Sequence, residues 1–217
     1  MLESVYGRFW LGKVKGSNLK IIYKGRLEEI NAETMLVSLL NMTKALNTIN
    51  DYLNELHDSN NILKTKIEAF SKGSLIVDFN LYLEQVDDSA KKKKSHGVND
   101  LIYSFVGMIV LKRFLGLRKP VSIKNINSAE IIIENDRGNT TIINHETFKL
   151  YYSSNALHEK VTNFFRALEA DYLIDSIEFK LNNMKFIEVN KNYFSVLSEK
   201  IDTQYLEDTE DIFIHKK

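Results

Sequence analysis

The chain has 217 residues, of which 44% are hydrophobic and 27% charged; this excludes a disordered protein and predicts a globular one with a substantial core. It carries 29 basic and 29 acidic residues, so no overall field attracts nucleic acid or an anionic membrane, and any such attraction must be local. Cysteine is absent, which excludes disulfides, thiolate metal sites and cysteine nucleophiles.

The N-terminal part of the chain is predicted to form a hairpin followed by a long helix. Two β-prone runs, YGRFWLGKVKG and NLKIIYKGRL, are separated by Gly16, Ser17 and Asn18, which favour a turn. The next segment, 31–56, contains no helix breaker, and Asn31 is a suitable N-cap residue. We therefore expect a first hairpin and then a helix over 31–56.

Apolar residues recur along this helix with alternating steps of four and three. Such spacing is typical of a helix packed on a core and also of a coiled-coil seam. Leu36, Val37, Leu40 and Ala45 widen the apolar face, which favours burial against a sheet. If the spacing instead marks a seam, the helix contributes to a homo-oligomer. The candidate oligomerisation residues are then Met35, Leu39, Met42, Leu46, Ile49 and Leu53.

A second hairpin, a basic loop and a second helix follow. ILKTKIEAF and SLIVDFNLYLEQV alternate with period two on either side of a turn at Gly73. The segment 89–97 is polar and lysine-rich, which predicts a loop. A second helix is expected over 98–117, because Pro120 disfavours helix in the residue before it.

The apolar helix at 98–117 has two interpretations. Its uncharged run, Leu101 to Leu111, is too short to span a membrane, and a helix that is apolar nearly all round is typical of a buried core helix. Flanking cations allow the alternative of an interfacial helix on an anionic membrane. The candidate membrane or anion contacts are Lys91, Lys92, Lys93, Lys94, Lys112, Arg113, Arg118 and Lys119. No nucleic-acid reader motif accompanies these cations, so nucleic-acid binding is not expected.

The C-terminal part is predicted to contain two further hairpins and a third helix. SAEIIIEN and NTTIINHETFKLYY flank the turn NDRGN, and the helix predicted at 154–170 has Ser154 or Asn155 as its N-cap. SIEFKL and KFIEV form the last hairpin, with its turn at Asn182 and Asn183. An acidic tail follows.

This order of elements predicts an α+β fold in which antiparallel hairpins alternate with three helices. The two halves have a similar order, which favours two subdomains of similar build. We place them at 1–88, with hairpin, helix and hairpin, and at 98–217, with helix, hairpin, helix, hairpin and the acidic tail. The basic loop 89–97 joins them.

Residue patterns that carry catalysis or bind metal are not found. None of the five histidines has a metal-ligand spacing such as HExxH, and no serine lies in a GxSxG elbow. His145 and Glu146 are expected on a strand, where neighbours point to opposite faces and do not act together. Asp78 shares the expected solvent face of its strand with Asn80. We therefore expect no catalytic residue, cofactor or metal, and a protein that is not an enzyme.

Several segments together carry a resemblance to a group of proteins. The Leu/Met-rich helix, the hairpin EAFSKGSLIVDFNLYL, the apolar helix ending in KRFLGLRKP and the hairpin EIIIENDRGNTTIIN resemble uncharacterised bacterial proteins of prophages and other mobile elements. Some of those proteins belong to phage-defence or counter-defence loci. The resemblance covers most of residues 20–180 and includes no chemically specific motif. The resemblance implies a biological setting but identifies no functional residues in this chain.

These observations predict a binding or assembly subunit that acts through protein–protein association. Its partners would be another protein and further copies of itself, contacted through the helix at 31–56, an edge strand or the acidic tail. The N-terminus lacks a secretory signal pattern, which predicts a cytoplasmic protein. The alternative is a membrane-directed effector, peripheral to the membrane, that uses the helix at 98–117 and its flanking cations.

Overall fold

The computed structural model describes residues 16–26, 30–71, 75–85 and 96–201. It confirms an α+β fold with two antiparallel sheets. The strands are β1 (Gly16–Gly25), β2 (Asn61–Ser71), β3 (Leu75–Gln85), β4 (Ser122–Asn125), β5 (Glu130–Glu134), β6 (Thr140–Asn144), β7 (Ile174–Leu181) and β8 (Met184–Asn190). The helices are α1 (Ala32–His57), α2 (Val98–Leu115), α3 (His145–Ser153), α4 (Asn155–Ala170) and α5 (Phe194–Ser198), with a short 3₁₀ turn at Lys191–Tyr193.

The larger sheet has five strands in the order β2-β3-β1-β7-β8. Its central strand, β1, pairs with β3 on one side and with β7 on the other, so that Ile21 lies opposite both Val77 and Phe179. Alternate side chains of these strands point into one core, as period-two strands with one buried face require. The predicted subdomains at 1–88 and 98–217 therefore contribute strands to the same sheet.

The turn expected at Gly16, Ser17 and Asn18 was a wrong prediction, because all three residues lie inside β1. Asn18 pairs with Asn80, and its side-chain amide donates a hydrogen bond of 3.2 Å to Asn80 Oδ1. A Cβ on Gly16 would lie 2.8 Å from the ring of Tyr82 on β3, so glycine there permits close packing. Pairing along β3 thus overrides the local turn preference. The first predicted β-run, up to residue 15, lies outside the described residues.

The helix α1 confirms the segment predicted over 31–56. Asn31 caps it, since Asn31 Oδ1 accepts a hydrogen bond of 2.8 Å from the backbone N–H of Glu33. The helix ends at His57, followed by Asp58 in the left-handed conformation. One side of α1 is buried, and the helix packs on α4, α2 and β2. This confirms the interpretation of α1 as a core helix.

The helix α2 confirms the apolar segment predicted over 98–117, although it ends at Leu115. Gly116, at φ 56°, takes up the left-handed conformation, and its backbone N–H donates to the carbonyl of Lys112. Phe105 and Ile109 are fully buried, and the ring of Phe105 lies edge-on to Phe179 at 5.9 Å. No helix in the described ranges is long and apolar enough to cross a membrane.

The turn predicted at Gly73 lies outside the described residues, but the strand pairs of the predicted hairpins β2–β3 and β7–β8 are confirmed. Asn182 and Asn183 turn the second one with φ of 50° and 67°, the left-handed values that a two-residue hairpin turn needs. The β5–β6 pair is also confirmed, but the small sheet gains a third strand, β4, that was not predicted.

The segment HETFKLYY is helical, which corrects the strand predicted for it. Asn144 Oδ1 accepts hydrogen bonds from the backbone N–H groups of Glu146 and Thr147, and so caps α3. Its apolar residues Phe148, Tyr151 and Tyr152 recur at helical spacing and are buried.

Five α-helices, and not the three expected, lie in the described residues. The short α3 precedes α4, and Ser154 separates them: its Oγ accepts from the backbone N–H of Leu157 and so caps α4 as predicted. The fifth helix, α5, lies in the predicted tail region. The acidic residues after 201 lie outside the described residues.

Candidate protein-interaction surface

Of the eight cations proposed as membrane or anion contacts, the structure describes four, and each of these four contacts other groups of the chain. Lys91 to Lys94 lie outside the described residues. Arg113 lies over the ring of Tyr193 at 5.1 Å, and Arg118 forms an ion pair with Asp136. Lys119 also has an interaction partner. These contacts, together with the buried α2, do not favour the membrane alternative.

Lys112 is the clearest correction among these candidates, because its side chain is fully buried. Its ammonium donates hydrogen bonds to Thr162 Oγ1 at 2.6 Å, to the carbonyl of Leu197 at 2.6 Å and to that of Glu199 at 2.7 Å. Burial lowers the pKa of Lys112 to about 7; the nearby Glu199 raises it and Arg166 lowers it further. This lysine joins α2, α4 and the end of α5, and does not face a ligand.

The histidines whose contacts are described have structural surroundings. Burial lowers the pKa of His158 to about 4, and its Nε2–H donates to the carbonyl of Tyr151. His96 Nε2 lies 3.0 Å from Asn50 Oδ1, and its ring stacks on that of His57. Within the described ranges, histidine, aspartate and glutamate form no group of three that could hold a metal ion.

His145 and Glu146, expected on a strand, instead lie in the first turn of α3. Burial, and secondarily Lys149, lowers the pKa of His145. Asp78 lies on the outer face of the sheet as expected, where the Lys20 ammonium is 3.5 Å from its carboxylate.

The candidate oligomerisation residues face the interior of the chain. Five of them are buried, with exposures between 0% and 6%, and the sixth, Met35, is partly buried against the same core. The five are Leu39, Met42, Leu46, Ile49 and Leu53. Because the protein's own core covers these side chains, they cannot form an exposed seam for a second chain without unfolding α1 from the core.

The opposite side of α1 instead presents apolar residues to solvent. Leu36 is 62% exposed and Leu40 is 52% exposed, and they lie one helical turn apart on the same face. Glu33 and Lys44 are exposed before and after them. We call these four residues the α1 outer face. Sequence reasoning identified Leu36 and Leu40 only as a widening of the buried side.

A groove of about 740 Å³ runs between α1 and α4, next to the α1 outer face. Val37 of α1 and the small residues Ala167 and Ala170 of α4 form apolar parts of its wall, and Arg166 adds a charge. Tyr172, in the turn after α4, lines the same groove and is 83% exposed. Sequence reasoning gave no signal for Tyr172, since one tyrosine in a turn has no periodicity.

The groove contains a buried acid that backbone groups hold in place. Its buried acid, Asp171, accepts hydrogen bonds from the backbone N–H groups of Asn31 at 3.3 Å and Leu173 at 3.0 Å, so its carboxylate holds α1 to the turn after α4. Its backbone carbonyl also accepts from the Lys191 ammonium. The Asp171 carboxylate therefore has a structural role between α1 and the turn after α4.

Comparisons with known proteins add no second source of information. No protein-family model, no curated protein and no solved structure matches this chain.

Proposed function

We propose that this protein is a non-enzymatic binding or assembly subunit that associates with protein through the α1 outer face and the adjoining groove. The observation that carries the proposal is the exposure of two leucines a turn apart on α1, next to a highly exposed tyrosine at the groove. Clustered exposed apolar residues with a polar rim are typical of protein–protein contacts.

The chemistry of the surface supports a protein partner. Tyr172 and Arg166 belong to the residue types that dominate binding energy at interfaces, because both combine a large apolar body with a polar end. Glu33 and Lys44 supply opposite charges at the rim, where charge fixes orientation more than affinity. A role in phage defence or counter-defence, which the prophage resemblance implies, is the biological setting of this proposal.

In-cell photo-cross-linking tests this function. A photoreactive phenylalanine analogue replaces Leu40 in one variant and Val121 in another. Val121 is a matched control, since it is an apolar residue that is 66% exposed and lies before β4, away from α1 in the sequence. We expect protein adducts from position 40 that are absent at position 121, and we expect Leu36→Asp to abolish them. Equal or absent labelling at the two positions would overturn the proposal.

A further inference from the structure

The charges on the α1 outer face stand on either side of its leucines and are opposite in sign. Along the helix the order is Glu33, Leu36, Leu40 and Lys44, so an acid stands three residues before the leucine pair and a base four residues after it. Glu33 and Lys44 are both exposed, and neither forms an ion pair with a described residue of its own chain. From its N-terminal to its C-terminal end, the face therefore presents an acid, two apolar residues and a base.

We infer that the partner of this face is a second copy of the chain, with the two α1 helices antiparallel about a two-fold axis between Leu36 and Leu40. This inference rests on the proposed function and names its partner. A two-fold interface must be self-complementary, because the same patch meets itself in reverse. In this arrangement Leu36 of each copy contacts Leu40 of the other, and Glu33 lies opposite Lys44.

The alternative orientation is disfavoured by the same charges. In a parallel pair Glu33 would lie opposite Glu33, and Lys44 opposite Lys44, so both ends would repel. Leu36, Leu40 and Lys44 also form one i, i+4 ridge, the kind of ridge that packs into the groove of a facing helix. The equal numbers of basic and acidic residues in the chain produce no net repulsion between copies.

The small size of the contact determines how stable the dimer is expected to be. Two leucines per copy, with Val37 and the rim charges, form a patch at the small end of specific interfaces, where complexes are transient. We therefore expect a reversible dimer that dissociates on dilution, not a permanent one. Its formation should be detectable by sedimentation velocity at about 100 µM protein and lost at about 1 µM.

Engineered cysteines measure the orientation directly, since the chain has none of its own. Glu33→Cys and Lys44→Cys variants are prepared singly and treated with a short bismaleimide reagent, alone or mixed. In the antiparallel pair, position 33 of one copy lies opposite position 44 of the other. The two copies of position 33 are therefore separated along the helix axis by about 16 Å, the rise of 11 residues at about 1.5 Å each. We expect cross-linked dimer only in the mixture. Efficient cross-linking of Glu33→Cys with itself would overturn the antiparallel arrangement.

Charge reversal supplies an independent test. Glu33→Lys and Lys44→Glu should each weaken dimerisation about tenfold, since each creates two repulsive pairs across the two-fold axis. Mixing the two variants should restore it, because every facing pair is then opposite in charge. Glu33 and Lys44 are both exposed, so circular dichroism should show that the variants fold as the wild type does. If the mixture is no stronger than either variant alone, the proposed pairing is wrong.

The outcomes separate this inference from the proposed function. If position 40 cross-links to another protein in cells while the purified chain remains a monomer at about 100 µM, the function stands and the second-copy partner is overturned. If position 40 gives no adduct and the chain is a monomer, both fail. Adducts of position 40 with the chain itself, lost on Leu36→Asp but kept on Val121→Asp, support both.

Discussion

The ammonium of Lys112 donates a hydrogen bond of 2.6 Å to Thr162 Oγ1, and so joins α2 to α4 inside the core. Two backbone carbonyls near the end of α5, those of Leu197 and Glu199, accept its remaining hydrogen bonds. Three acceptors are what a buried ammonium needs, since an unpaired charge in a core is strongly unfavourable. Lys112, which the sequence pattern placed among surface cations, is therefore a structural residue of the core.

The buried lysine predicts that stability rises with pH above neutrality. The pKa of Lys112 is lowered from 10.5 to about 7 by burial, so between these values the unfolded chain binds a proton that the folded chain has lost. The free energy of unfolding should then increase with pH, by up to about 1.4 kcal/mol per unit. Urea titrations from pH 6 to 9 should show this slope in the wild type, and Lys112→Met should lack it. Equal slopes would contradict the burial of the ammonium.

His158 predicts a separate loss of stability in acid. Burial lowers its pKa from 6.5 to about 4, so the unfolded chain takes up a proton first as the pH falls through this range. The free energy of unfolding should decrease from pH 6.5 downwards by up to about 1.4 kcal/mol per unit. His158→Gln, which keeps a donor for the Tyr151 carbonyl, should flatten this part of the profile in urea titrations. If the free energy of unfolding of the variant decreases below pH 6.5 as it does in the wild type, other groups cause this loss of stability.

The two faces of α1 predict opposite effects of one substitution. Leu46→Asp places a carboxylate at a fully buried position and should destabilise the fold by more than about 4 kcal/mol, enough to unfold it. Leu36→Asp, at a position that is 62% exposed, should change stability by about 0.5 kcal/mol or less. Thermal melts followed by circular dichroism compare them. Similar melting temperatures would show that the buried and exposed faces of α1 are wrongly assigned.

The N-cap of α3 predicts a moderate loss of stability when the side chain of Asn144 is shortened. Asn144→Ala removes the acceptor for the backbone N–H groups of Glu146 and Thr147, and should cost about 1 kcal/mol of unfolding free energy. Asn155→Ala is the matched control: Asn155 is exposed in the first turn of α4, and its side chain caps nothing described. Chemical denaturation should separate the two variants. A loss as large in the control would speak against the cap.

The turn between β7 and β8 predicts a stabilising substitution. Asn183 adopts φ 67°, which glycine takes up without strain, and Asn-Gly is the preferred pair for this turn. Asn183→Gly should raise the free energy of unfolding by about 0.5 kcal/mol, whereas Asn183→Val should lower it by about 1 kcal/mol or more. Asn182 is left unchanged, because its Oδ1 accepts from the backbone N–H of Asn18. Equal stability of the two variants would exclude the left-handed conformation at this position.

Local patterns in the sequence are sufficient for the class of the fold and for most of its elements. The Asn31 cap, the three confirmed hairpins and the buried α2 follow from periodicity and turn chemistry, which act between residues close in the chain. The same patterns fail at Asn18 and at His145. Asn18 is drawn into β1 by pairing with Asn80, and the helix at His145 depends on a cap supplied by Asn144 and on a core that covers Phe148 and Tyr151.

The sequence alone determined that α1 is apolar over a wide arc and capped at Asn31, because helical spacing and capping are local properties. Only the tertiary structure decided which side of that arc is buried. The folded chain buries Leu39, Met42 and Leu46 and leaves Leu36 and Leu40 in solvent. The hydrophobic effect is non-directional. An apolar pattern in the sequence therefore does not distinguish a side chain that packs in the core from one that is exposed at a docking surface. That distinction depends on which distant parts of the chain, α4 and α2 above all, come together.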